Sequence, residues 1–197
     1  MQPAPIASSD ITLGILAGGR ATRLGGVDKA WLLRGGVPQV LRWRRRFATE
    51  VATTLVSANR DLARYAASGL EAVTDRVAGG AGPLAGLDAL LAGCTTLWLL
   101  SLPVDLVGVN ECLLPTLAAE AGEAGTFAID ADGVQPLVAL WNVPRTRVVV
   151  AAALEEGGGS VQRVQQALSM RGVRFAGVRF GNLNTVADLA AAGASVQ

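Results

Sequence analysis

Between Ile11 and Asp105, short apolar runs alternate with amphipathic stretches, and this alternation restricts the chain to few folds. Ile11 to Leu16, Thr53 to Ser57 and Thr96 to Leu100 read as buried strands, and Glu71 to Thr74 as a brief one. A helix opened by Pro38 places Val40, Trp43, Phe47 and Val51 on one stripe. A short helix from Leu62 to Ala67 ends at Gly69, and a third, after Pro83, turns Leu84, Leu87, Leu90 and Leu91 toward the core. Strand, helix, strand in repetition predicts a three-layer αβα architecture: a mostly parallel, twisted sheet with helices on both faces. Ligands of such sheets bind beyond the carboxyl ends of the strands. The loop after Leu16, together with Asn59, Asp75 and Asp105, lies at such ends, so these residues are expected to share one rim.

The second half changes character. Asn110 is expected to cap a helix running to about Ala121, with Pro115 forcing a kink or an early stop. Thr126 to Ile129 and Val134 to Trp141 read as strands joined by a tight turn, in which Asp130 and Asp132 are turn formers. Pro144 to Glu156 and a stretch from Ser160 to about Met170 read as helices, and Val173 to Val178 as a strand. Thr185 and Asp188 have the spacing of a capping box at the start of a last helix.

Charge and composition remove whole classes of chemistry. The chain has no histidine, which excludes Ser-His-Asp and Cys-His catalysis and every His-ligated metal site. Its net charge of +1 gives no reason to expect a nucleic-acid partner, and the cluster Arg42, Arg44, Arg45, Arg46 reads as the solvated face of a helix. Cys94 and Cys112 read as ordinary buried thiols, which fits a reducing cytoplasm. Residues 1–10, with Pro3 and Pro5, read as a flexible arm ahead of one domain over 11–197, without a signal peptide or a run long enough to span a membrane.

The first strand empties into Leu16-Ala17-Gly18-Gly19-Arg20-Ala21-Thr22-Arg23-Leu24-Gly25-Gly26-Val27-Asp28-Lys29. Four glycines there leave backbone N–H groups uncovered for a bulky anion. Lys29 is the only lysine of the chain; the other sixteen basic residues are arginine. A lysine offers a mobile point charge where arginine offers a rigid fork, a difference that matters at phosphate. Neither a P-loop nor a G-x-G-x-x-G fingerprint is present, and Arg23 and Lys29, six residues apart, could wrap a triphosphate and leave its α-phosphorus open. Asp105, at the end of a buried strand and opposite this loop, is placed either to hold Mg²⁺ against phosphate oxygens or to cap the next helix. Asp75 reads as a residue that either binds a ribose or base or simply ends its strand. Asn182 and Asn184 either add a neutral metal or phosphate contact or shape a turn.

The opening segment resembles the L-A-G-G-x-x-x-R-M-G-G-x-D-K signature of molybdenum cofactor guanylyltransferases, the MobA-like family. Ser57-Ala58-Asn59-Arg60, Asp75, Gly82-Pro83-Leu84-Ala85-Gly86, Pro103-Val104-Asp105, Gln135-Pro136 and Asn182-Leu183-Asn184-Thr185 continue that likeness in order, over about Ile11 to Ala192. It implies a Rossmann-like, nucleotide-diphospho-sugar-transferase type fold. It also implies an Mg²⁺-dependent transfer of GMP from GTP to the terminal phosphate of molybdopterin, releasing pyrophosphate, with a molybdoenzyme or chaperone as recipient of the product. By position, Leu16, Ala17, Gly18 and Gly19 would hold the nucleoside through backbone, and Ser57, Asn59 and Asp75 would recognise it. Lys29 would bind phosphates, Arg23 would assist the leaving group, and Asp105 would bind Mg²⁺ and phosphate. Leu16-Ala17-Gly18-Gly19, where cytidylyl-transferring relatives carry L-A-A-G, favours guanine over cytosine. The chain departs from the pattern at Val104, at Val186, and at Gly157-Gly158-Gly159-Ser160, where relatives carry arginines suited to the pterin phosphate. That last departure motivates the alternative of a non-catalytic nucleotide-binding relative.

Overall fold

A computed structural model describes residues 5–18, 28–77 and 82–195. Strand β1 (Ile11–Leu16) is followed by β2 (Leu33–Arg34), β3 (Val37–Pro38), α1 (Gln39–Arg46), β4 (Thr53–Ser57), α2 (Leu62–Ala67) and β5 (Glu71–Val73). Next come α3 (Pro83–Gly93), β6 (Trp98–Pro103), β7 (Leu106–Val107), α4 (Leu113–Ala119), β8 (Gly125–Asp130) and β9 (Gly133–Asn142). The chain closes with α5 (Val143–Glu155), α6 (Val161–Ala167), β10 (Arg171–Arg174), β11 (Gly181–Asn182), α7 (Val186–Ala191) and β12 (Ala194–Ser195).

Seven strands form the central sheet in the order β10-β8-β9-β6-β1-β4-β5. All pairings are parallel except those made by β9, which runs antiparallel to β6 and β8. From β1 the chain winds outward through β4 to β5, then returns to the other side of β1 as β6. The strand order therefore reverses at the carboxyl ends of β1 and β6, the position where open α/β sheets bind ligands.

Alternation along the strands separates two cores. Leu13 and Ile15 of β1, Val56 of β4, and Leu100 and Leu102 of β6 face α1, α2 and α4, packing on Val40, Trp43, Phe47, Tyr65 and Leu117. Leu55 and Leu99 point the other way, onto Leu84, Leu87, Leu90 and Leu91 of α3 and onto α5 and α6. Each fully buried side chain of this kind contributes about 1.5–3 kcal/mol. Helix α3 is buried on nearly all sides, which explains its continuous apolar run. Gly82 (φ +60) and Pro83 at its first turn start it, and the Arg147 guanidinium closes its other end by donating to the Leu91, Ala92 and Cys94 carbonyls.

Several local expectations are corrected. Pro115 sits in the first turn of α4, where its missing N–H has no partner to lose, so it neither kinks nor stops the helix. That helix begins at Leu113; the Asn110 side chain instead accepts from the Cys112 N–H. Strand β10 covers Arg171–Arg174 rather than Val173 to Val178, because Phe175 already turns away after bonding to Ile129 O. Cys94 is buried but Cys112 is exposed, and both are free thiols. Among the described residues no helix is long and apolar enough to cross a membrane.

Between β6 and β9, the buried Trp141 indole donates to Ser101 Oγ at 2.8 Å, and that hydroxyl donates to Leu137 O at 2.7 Å. Ser101→Ala strands a donor and an acceptor in a dry site. It should lower the unfolding free energy by about 1–3 kcal/mol, read from urea titration at unchanged m-value.

Candidate functional site

The end of β1 is woven between its neighbours: Ala17 N donates to Ser57 O at 2.9 Å and Val104 N donates to Leu16 O at 3.0 Å. Strand spacing then fixes what flanks it. The tips of β4 and β6 each stand about 5 Å to one side, carrying Ser57 and Asn59 on one flank and Asp105 on the other. Gly19 and Arg23 lie outside the described residues.

On the β4 side, Asn59 and Asp75 clasp each other: Asn59 Nδ2 donates to Asp75 Oδ2 at 2.8 Å and Asp75 N donates to Asn59 Oδ1 at 2.9 Å. Gly18 lies beside them. A Cβ built there would stand 3.6 Å from Asn59 Nδ2 and 3.9 Å from Ser57 Oγ. Two buried polar atoms, Ser57 Oγ and Asp75 Oδ1, have no hydrogen-bond partner among the described residues. Buried polar atoms are normally satisfied, so this pair is a candidate for ligand contact. Gly86 of α3 keeps the space open, since a Cβ on it would come within 2.8 Å of Ser57 Oγ and 3.0 Å of Leu16 Cδ2. The neighbouring Arg76 pairs with Asp88 of α3 at 3.1 Å.

On the β6 side, Lys29 Nζ donates to Asp105 Oδ2 and to Asn184 Oδ1, each at 2.6 Å. Every member of this trio is fixed by its own support. Asp28 caps the short 3₁₀ turn Lys29–Trp31 by accepting from Ala30 N at 2.9 Å. The other oxygen of Asp28 faces the hydroxyl of the buried Tyr65 at 3.5 Å. Burial first, and then the Asp28 charge, push that phenol above its ordinary range, so it stays a donor. Asp105 is framed by α1: Trp43 Nε1 donates to Val104 O at 3.1 Å and Gln39 Nε2 donates to Leu106 O at 2.9 Å. The Asp105 carbonyl accepts from Leu183 N at 2.9 Å, where β11 pairs with β7. Asn184 precedes the capping box of α7, in which Thr185 Oγ1 accepts from Asp188 N, and Asp188 Oδ2 accepts from the Asn184 and Thr185 N–H groups. Asn182 projects exposed beside it.

Asp130 is more than a turn former. It is 2% exposed and accepts from Phe180 N at 2.6 Å, Asp132 N at 2.9 Å and Gln135 Nε2 at 3.1 Å. Burial works to raise its pKa, but these hydrogen bonds together outweigh it and hold the carboxyl below the usual aspartate range. Asp130 thereby anchors the segment that carries Asn182 and Asn184. It ends β8, which runs parallel to β6, so the strand-end criterion that selects Asp105 selects Asp130 as well. Tyr65, Gln39 and Trp43 act through others and carry no comparable signal in the sequence.

The sequence profile described as the MobA-like NTP transferase domain matches residues 13–173. The chain belongs to that family. A molybdenum cofactor guanylyltransferase from Cupriavidus pinatubonensis is 37% identical over 194 residues, covering 93% of this chain and 96% of the relative. One from Cupriavidus metallidurans is 36% identical over 93% and 95%. Among solved structures, molybdopterin-guanine dinucleotide biosynthesis protein A from Archaeoglobus fulgidus superposes with a TM-score of 0.70 at 18% identity, covering 92% of this chain and 96% of that one, and shares the fold.

Because the Asp130 carboxyl is depressed in the folded state, its stabilisation is complete above the unfolded aspartate pKa of about 3.9. It is lost as pH falls from there through the folded value. Wild-type stability should therefore decline below about pH 4 more steeply than that of Asp130→Asn, measured by chemical denaturation across pH 2–6; equal slopes would contradict the anchoring role.

Proposed function

We propose that this chain transfers GMP from GTP to the terminal phosphate of molybdopterin, forming a guanine dinucleotide and releasing pyrophosphate. The observation that carries the reading is the Lys29 ammonium held 2.6 Å from both Asp105 Oδ2 and Asn184 Oδ1 at the rim where the strand order reverses. A cation already rests there between a carboxylate and a carboxamide oxygen. That donor set suits Mg²⁺, which takes one or two protein oxygens and completes its shell with water and phosphate. Asp105 would hold the metal, with Asn184 or Asn182 assisting. When bound, it would neutralise charge on the triphosphate.

The protein's own groups supply positioning and electrostatics. Lys29, released from Asp105 and Asn184 by the incoming phosphates, places its charge on the triphosphate. Arg23 neutralises the departing pyrophosphate. Leu16, Ala17, Gly18 and Gly19 lie along the nucleoside through their backbone. Ser57 Oγ and Asp75 Oδ1, without hydrogen-bond partners among the described residues, are the polar atoms offered to the base. A carboxylate oxygen accepts from guanine, whose N1–H and N2 amine are donors side by side; cytosine presents its bare N3 in that position. The acceptor phosphate attacks the α-phosphorus, one P–O bond forms, and the bond to the β-phosphate breaks with its electron pair leaving on pyrophosphate. The attacking oxygen is already ionised near neutrality, so no histidine or covalent nucleophile is needed.

Pyrophosphate release with molybdopterin and GTP, CTP or ATP tests the reading. Turnover should require both GTP and the pterin; turnover with CTP alone would transfer the assignment to a cytidylyltransferase. GTP binding without turnover would leave a nucleotide-binding protein, the outcome that the arginine-free loop Gly157 to Ser160 would then explain. Asp105→Asn and Lys29→Ala should each lower kcat by about a hundredfold or more while circular dichroism stays unchanged.

A further inference from the structure

On the flank of α1, a cavity of about 150 Å³ is lined by Arg34, Gln39, Arg42, Trp43, Arg46 and the Gly108 turn. The arginines of α1 do not form one solvated face. Arg42 and Arg46, a helical turn apart, point to this cavity, whereas Arg44 reaches the other way to Ser68 O at 3.2 Å. Arg46 is paired with Glu50. Arg34 and Arg42 have no carboxylate partner among the described residues; Arg34 donates to the Ala192 carbonyl and Arg42 to the Arg34 carbonyl. Burial, and then the nearness of Arg42, hold the Arg34 guanidinium below its ordinary value. Two neighbouring guanidinium groups, Arg34 and Arg42, with no carboxylate on either among the described residues, are a cost that a bound anion removes.

Gln39 narrows the choice of anion. The residue is 1% exposed, and its Nε2 is committed to Leu106 O. Its Oε1 is buried and has no partner among the described residues. An occupant that satisfies the site must bring negative oxygens for Arg34 and Arg42 and a hydrogen-bond donor for Gln39 Oε1. Carboxylate and sulfate bring no donor at neutral pH. Phosphate brings its P–OH, and a phosphorylated polyol brings its hydroxyls.

We propose that this cavity is a second anion site, taking phosphate or a small hydroxylated phosphate monoester on Arg34, Arg42 and Gln39. It is separate from the nucleotide site proposed above and does not rest on that assignment. Its occupant would touch the two side chains, Gln39 and Trp43, that hold the carbonyls on either side of Asp105.

The test is a titration at constant ionic strength with inorganic phosphate, glycerol 3-phosphate and sulfate. It tracks the ¹⁵N–¹H resonance of the Trp43 indole, assigned with Trp43→Phe. Phosphate or the monoester should shift it saturably in both the wild type and Lys29→Ala, the latter excluding an effect relayed from phosphate at the strand rim. The tighter of the two identifies the source. Arg42→Gln and the double variant Arg34→Gln/Arg42→Gln should weaken binding about tenfold or more per arginine. Three results would overturn the proposal: no saturable shift, sulfate binding as tightly as phosphate, or an affinity in the folded Arg42→Gln variant within about twofold of the wild type.

Discussion

The contact on which the rim depends is an ion pair between residues 76 positions apart: the Lys29 ammonium and the Asp105 carboxylate, 2.6 Å from each other and largely shielded from water. A charge pair in such a place is favourable only where both partners are pre-positioned and their remaining valences are met. The fold meets that condition from three directions. The Asp28 cap fixes the turn beneath Lys29, α1 grips the peptide carbonyls on both sides of Asp105, and the C-terminal segment brings Asn184 as a third partner. Much of the structure around the sheet acts as scaffolding for this one arrangement.

The two flanks of the β1 tip are built on different physics. The β6 flank is satisfied internally: its charges face each other, so no ion is stranded there. The β4 flank is left unsatisfied, with a hydroxyl and a carboxylate oxygen buried without partners among the described residues. On the proposed function, one side would exchange a protein contact for a ligand contact, while the other would gain a contact it lacks among the described residues. Selectivity is more easily encoded on the second, because a wrong base leaves buried polar atoms unmet.

How much of the molecule is legible in its sequence depends on the range of the forces involved. Strands β1, β4, β5 and β6 and helices α1, α2 and α3 are readable because periodicity, proline and glycine act within a few residues. The gathering of Gly18, Asn59, Asp75 and Asp105 at one edge comes from topology, which alternation alone implies. The two-residue strands β2, β3, β7, β11 and β12 are invisible, since a pairing that short has no period. Asp130 is half legible: Asp-Ala-Asp-Gly reads as a turn, but its bond to Phe180 spans 50 residues and leaves no local trace. The arginines of α1 look alike in the sequence, and only the packed helix separates Arg42 and Arg46 from Arg44. Cys112 reads as buried yet is exposed, because an apolar neighbourhood in sequence does not say which side of a helix start meets solvent.

The lateness of Asn184 in the chain has a consequence for biosynthesis. Lys29 and Asp105 emerge from the ribosome well before the segment that completes their trio, and β11 cannot pair with β7 until Asn182 has emerged too. A growing polypeptide can assemble most of its sheet while the rim is still missing a side, so the trio closes only once its last member has been translated.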